Sequence, residues 1–162
     1  MFLYSKLMML FSFIYIHSKF TMAQPGELSR YCPYDQKRYI LQVRAKVNFF
    51  TALQTCRDRG QRLANVLTPG ENDCLGGLIS DTTFNENRFW ISGSDLNNPG
   101  VYVWESTGQP VRYTNWYPGQ PTHTVSPTGE VQHCIEVLFN PHGYLQWADA
   151  LCSAQHFFVC ED

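Results

Sequence analysis

Residues 113–152 gather most of the side chains through which this chain could act on another molecule. Gln120 and Thr122 flank Pro121 and offer hydrogen-bond donors and acceptors at a turn. Tyr113, Trp116, Tyr117 and Tyr144 carry rings able to stack on the apolar faces of a sugar, with Tyr117 and Tyr144 the better exposed candidates. Such a set binds rather than reacts. No G-x-S-x-G elbow occurs, and His123, His133, His142 and His156 lack metal-ligand spacing, so they read as surface or hydrogen-bonded residues and an enzyme is not expected. No N-x-S/T sequon is present, and N-glycans are not expected either.

The elements that must position these groups change character along the chain. Residues 39–43 are β-branched and aromatic enough for a first strand. Asn48 caps a helix whose apolar face is Phe49, Ala52, Leu53 and Cys56, and Gly60 stands where a left-handed cap ends it. Thr68-Pro69-Gly70-Glu71 is a capping box that opens a second helix carrying Cys74, Leu75, Leu78 and Ile79. Gly76 and Gly77 cost that helix about 2 kcal/mol relative to alanines, so packing has to hold it. Short strands follow at residues 89–91, 101–104, 133–138, 145–147 and 157–160. Between the second and third of these lies a long polar region rich in Pro and Gly, of a kind that is usually functional or disordered. Two helices followed by short strands predict an α+β domain with two small antiparallel sheets and the long loop folded against the second.

A chain of 162 residues suffices for one domain behind a leader. Residues 1–23 read as a signal peptide: Lys6, an apolar run far short of a membrane span, and Thr21-Met22-Ala23 at the cleavage site. Residues 24–30 form a short polar lead-in and residues 31–162 the domain. Cleavage removes Lys6 and Lys19 and moves the formal net charge from −2 to −4. A mildly acidic surface without basic runs argues against a nucleic-acid partner, and no membrane insertion is expected once the leader is gone. All six cysteines, Cys32, Cys56, Cys74, Cys134, Cys152 and Cys160, follow the leader, which implies a disulfide framework in a secreted protein. Spacing alone leaves about 15 connectivities open. Zinc is disfavoured, because no C-x-x-C or close histidine pair exists.

The motifs Trp90-Ile91-Ser92-Gly93, Asn115-Trp116, Gln120-Pro121-Thr122 and Trp147-Ala148-Asp149 together resemble the C-type lectin-like domain family. That family carries a Trp-Ile-Gly-like strand, an Asn-Trp, a Glu-Pro-Asn or Gln-Pro-Asp turn and a Trp-Asn-Asp before a cysteine. The resemblance runs over residues 31–160 and implies a disulfide-stapled C-type lectin-like fold. It also implies bridges Cys56–Cys160 and Cys134–Cys152, leaving Cys32 and Cys74 to each other. The family's calcium ligands fall on Gln120, Thr122, Gln132, Ala148 and Asp149, where a cis proline would aim the side chains of Gln120 and Thr122 outward. With Asp149 as the single carboxylate of this set and no oxygen on Ala148, calcium affinity is expected to be on the order of millimolar or weaker, held by Gln120 and Asp149 if at all. No cofactor is expected. Glu130 or Glu136 would substitute only if the loop took an unexpected path. Asp95 matches a second calcium position, but its acidic companion falls on Pro99, and 95–100 reads as a turn.

The expected ligand-binding residues are Gln120, Thr122, Gln132, Asp149, Tyr117 and Tyr144. The function implied is a secreted lectin-like recognition domain that binds carbohydrate, galactose-type by its Gln-Pro, with weak or absent calcium dependence. The motif rhythm looks like secreted single-domain invertebrate lectins of innate immunity or of cuticle and matrix. Partners would be extracellular glycans or glycoproteins. The alternative is a calcium-independent protein-interaction or extracellular-matrix protein that has lost the sugar site.

Overall fold

The computed structural model describes residues 28–33 and 36–162. The leader expected over residues 1–23 lies outside the described residues, as does most of the lead-in.

The last part of that lead-in is a strand. β1 (Leu28–Cys32) pairs antiparallel with β2 (Lys37–Val47), with Leu28 opposite Leu41 and Cys32 opposite Lys37. The residues called a polar lead-in at 28–30 are therefore part of the fold. Leu28 packs on the core and Cys32 is buried and bonded to Cys74, two long-range contacts that a short segment without alternation does not advertise. The strand expected first, at 39–43, is the second. It pairs with the C-terminal strand β9 (His156–Glu161), Ile40 opposite Cys160, which brings the two ends of the domain side by side.

Both helices start where their caps require. The Asn48 side chain accepts a hydrogen bond from the Thr51 amide at 2.8 Å, and α1 (Phe49–Asp58) buries Phe49, Ala52 and Cys56. Gly60 follows it at φ +72°. Between the helices, β3 (Arg62–Leu63) adds to β9. The Thr68 hydroxyl accepts from the Glu71 amide at 3.1 Å to start α2 (Pro69–Ser80). Gly76 in α2 has a packing cause, since a Cβ there would stand 3.3 Å from the Cβ of Leu145, whereas one on Gly77 would meet only the guanidinium end of the flexible Arg30 side chain.

The remaining strands are β4 (Phe89–Ser94), β5 (Val103–Trp104), β6 (Gln109–Pro110), β7 (Gln132–Phe139) and β8 (Leu145–Leu151). Residues 101 and 102, expected in a strand, belong to the preceding loop. β4 is wholly buried and central. It runs antiparallel to β5 and β7 and parallel to β9, with Phe89 opposite Phe157, so the two antiparallel regions are joined into one hydrogen-bonded network. At Gly93 a Cβ would lie 2.4 Å from Ile135 Cδ1, which is why the motif needs glycine where β4 crosses β7.

Trp90, Trp104 and Trp147 are fully buried, as the core reading of these residues expects. Trp116 is half-buried and meets Trp147 edge-on at 5.9 Å. Asn115 and Tyr117 bond the backbone of Trp147 from either side, so the Asn-Trp motif lies along β8 as a further short bridge. The three disulfides are Cys32–Cys74, Cys56–Cys160 and Cys134–Cys152. Closing the 104-residue span of Cys56–Cys160 removes chain entropy worth about 4 to 5 kcal/mol in the unfolded state.

Candidate functional site

The loop between β6 and β7 is held to the sheet by two buried aspartates, one on β8 and one just past the end of β4. Asp149, on β8, is 2% exposed. Its Oδ1 accepts from the Thr122 amide at 3.0 Å and lies 3.3 Å from the Thr122 hydroxyl, and its Oδ2 accepts from the His123 amide at 2.5 Å. Both carboxylate oxygens are thus consumed by the loop backbone. Asp95, just beyond β4, is fully buried and grips the same loop through a side chain. His123 Nε2 lies 2.7 Å from Asp95 Oδ2, and His133 Nδ1 lies 2.8 Å from Asp95 Oδ1. His123 itself sits at φ +51°, a left-handed conformation that a non-glycine residue keeps only when its surroundings impose it. Here two carboxylates do so.

Around this anchor the Gln120–Pro121 bond is cis, as the resemblance implies. The flanking side chains both bond to the protein, Gln120 from a partly buried and Thr122 from an exposed position. Gln120 Oε1 accepts from the Asp149 amide at 3.3 Å. The Thr122 hydroxyl donates to Gln132 Oε1 at 2.8 Å, and that oxygen also accepts from the Thr124 amide at 3.2 Å. Gln120, Thr122, Gln132 and Asp149 therefore do meet, but as a closed set of mutual hydrogen bonds. The reason is local supply: with Ala148 in place of an oxygen-bearing residue and a single carboxylate in the set, the side-chain oxygens satisfy nearby amides instead of converging on an ion.

As a donor set these residues match calcium poorly, since calcium takes about six to eight oxygens and binds more tightly with more carboxylates: Asp149 is the single carboxylate of the set and Ala148 offers no side-chain oxygen. Glu130 and Glu136 do not replace them. Glu130 caps Ser153, bonding its amide at 3.1 Å and its hydroxyl at 2.5 Å. Glu136 is buried on β7, paired with Arg88 and 2.9 Å from His156 Nε2. Asp95 is occupied as well: its Oδ2 accepts from the Gly100 amide at 2.6 Å and closes the turn expected at 95–100.

Two aromatic candidates part company. Tyr117 is half-buried and lines a cleft of about 310 Å³ with Gln120, Ala148, Arg88, Phe139 and Pro141. Tyr144 is 69% exposed and belongs to a different groove beside α2. Tyr113 packs edge-on against Trp147 at 5.5 Å. The Asp95 pair with His123 and His133 was invisible in the sequence, where the three stand 28 and 38 residues apart. Its one signal was a carboxylate directly after the Trp-Ile-Ser-Gly strand.

Burial raises the Asp95 pKa, but the Gly100 amide, both imidazoles and the His123 charge outweigh it, so the net shift is downward. A carboxylate with a depressed folded pKa contributes stability above its unfolded value, about 3.9, and loses it as pH falls through the lower folded value. The contribution of Asp95 to loop anchoring is therefore expected to be complete above its unfolded value and to be lost as pH falls below about 4. Hydrogen exchange at the His123 amide across an acid titration reads this directly. Loosening that begins near neutral pH would show that another group governs the loop.

Comparison with known proteins agrees with the fold. Residues 45–162 match the family profile described as the Lectin C-type domain. The chain is 30% identical over 115 residues to salivary C-type lectin 2 of Aedes albopictus, covering 68% of this chain and 74% of that one. It is 33% identical over 118 residues to perlucin of Haliotis laevigata, covering 72% and 70%. Among solved structures it is similar to the cow C-type carbohydrate-recognition domain of CD23, determined in the presence of a GlcNAc2Man3 oligosaccharide, with a TM-score of 0.62, 31% identity and coverage of 78% and 87%.

Proposed function

This chain belongs to the C-type lectin domain family, and we propose that it is a secreted carbohydrate-recognition domain that binds glycans or glycoproteins at the Gln120 cleft without calcium. The observation that supports this reading is Asp149, whose two oxygens accept from the Thr122 and His123 amides and so already serve the loop. Within the cleft the Tyr117 ring offers a stacking face, and Gln120, its oxygen turned to the Asp149 amide, keeps its amide nitrogen to donate to a sugar hydroxyl. Ala148 opens the floor. The role is one of binding, in keeping with the family, and the Gln-Pro turn makes galactose-terminated glycans the first to try. Secretion is supported by the salivary relative and by the leader pattern, while no helix among the described residues is long and apolar enough to cross a membrane.

The test is calcium titration calorimetry on the disulfide-intact protein, followed by a glycan array with calcium and with chelator. The expected result is no heat at micromolar calcium and glycan signals that survive chelation. Gln120→Ala is expected to weaken them by about fivefold to tenfold, the worth of one hydrogen bond. Micromolar calcium binding with chelator-sensitive signals would overturn the metal-free mechanism. Silence on every glycan would turn the reading to a protein or matrix partner.

A further inference from the structure

A groove of about 490 Å³ runs between α2 and the turn that joins β7 to β8. It shares only Phe139 with the Gln120 cleft. Its outer wall is rigid: Asn140 Oδ1 accepts from the amides of His142 at 2.9 Å and Tyr144 at 3.0 Å, and its Nδ2 donates to Gln146 Oε1 at 2.7 Å. Tyr144 therefore presents its ring from a built turn. On the inner side the Asn72 and Asn115 side chains both donate to the Leu145 carbonyl, at 3.2 and 2.7 Å, and fix the start of β8 against α2. On the helix side, Gly76 and Gly77 lie between Asp73 and Ser80 and add no side chain of their own to the lining.

Among the polar groups of this groove without a hydrogen-bond or ion-pair partner among the described residues, two lie close to each other. One is the exposed Asp73 carboxylate and the other the hydroxyl of half-buried Tyr113. Burial first, and then the Asp73 charge, raise the Tyr113 pKa, so its phenol stays a donor beside an acceptor. No Lys or Arg lines the groove, and the neighbouring Arg30 is paired with Asp81.

We propose that this groove is a second saccharide-binding site, taking an uncharged oligosaccharide whose ring stacks on Tyr144 and whose hydroxyls are shared between Asp73 and Tyr113. A carboxylate acceptor, a phenolic donor and an exposed ring around a preformed trough suit vicinal hydroxyls on an apolar pyranose face. The unpaired negative charge excludes sialylated and sulfated chains. The site does not depend on the Gln120 cleft for its ligand contacts.

Backbone amide NMR on the isotope-labelled, disulfide-intact protein tests it, with lactose, maltotriose, chitotriose, mannotriose and sialyllactose added in chelator. At least one neutral sugar is expected to shift Asp73, Tyr113 and Tyr144, and sialyllactose is not. Asp73→Asn and Tyr144→Ala alter exposed side chains, so the fold should persist, and each is expected to weaken that binding by about tenfold, the loss of one charge-assisted hydrogen bond or one stacking face. Shifts confined to Tyr117 and Gln120, no shifts with any sugar, or equal response to sialyllactose would each overturn the second site. Shifts confined to the groove would keep it and overturn the Gln120 reading instead.

Discussion

Lys37→Met is expected to destabilise the protein by about 3 to 5 kcal/mol at pH 7, the cost of leaving buried charge uncompensated. Lys37 is 8% exposed, and its ammonium lies 2.7 Å from Glu71 Oε2, 3.1 Å from Glu161 Oε2 and 3.0 Å from the Asn65 carbonyl oxygen. One cation thus serves two buried carboxylates. Arg62 also reaches Glu161, at 3.4 Å, but its side chain is half in water and a poor substitute. The sign of the pH dependence separates this from a packing loss. Burial raises the Glu161 pKa, and Lys37, the Asn65 amide and Arg62 only partly oppose it. A carboxylate with a raised folded pKa costs most stability above that value and nothing below the unfolded value, about 4.3. Without Lys37 the rise is larger, so the gap between variant and wild type is expected to narrow as pH falls toward 4. Urea unfolding at pH 7 and pH 4.5 measures it, and a gap independent of pH would reduce the effect to lost packing.

Asp149→Ala is expected to free the loop over residues 118–132 while leaving the sheet intact. Two amides lose charge-assisted acceptors, worth about 1.5 to 3 kcal/mol each when both stay buried. The loop can recover part of this by opening to water, so about 3 kcal/mol of local stability is expected to go. Hydrogen exchange should speed up at Thr122 and His123 and remain slow in β7, and glycan binding at the Gln120 cleft should be lost with the loop. Chelator added to the wild-type protein should reproduce none of this. If chelator alone loosened the same amides, Asp149 would be holding a cation and not the backbone.

Glu71 marks how far the sequence could be read. The Thr68 box predicted the start of α2 to the residue, because capping depends on side chains three positions apart. Glu71 does reach back, but its Oε2 meets the Leu67 amide at 2.8 Å and then turns inside to Lys37 and the Tyr39 hydroxyl. Those partners stand more than 30 residues away, and no local pattern names them. The same divide runs through the strands. Alternating and aromatic runs located β4, β7, β8 and β9 to within a few residues, whereas β1, β3 and β6 escaped, each being short and defined by its neighbour across the sheet.

By itself the sequence determined the caps, the apolar helix faces, the turn at 95–100 and, through motifs spread over most of the chain, the family and its disulfide pairs. The caps, helix faces and turn rest on contacts within one turn, and the family rests on several motifs read together. It also showed that the calcium set is short of oxygens. Only the tertiary structure decided where the remaining oxygens went: Asp149 to two loop amides, Asp95 to two histidines, Gln120 to the Asp149 amide, Thr122 to Gln132, and Tyr117 and Tyr144 into separate grooves. A buried polar atom must find a partner, and which partner is within 3 Å depends on how distant strands and loops come together.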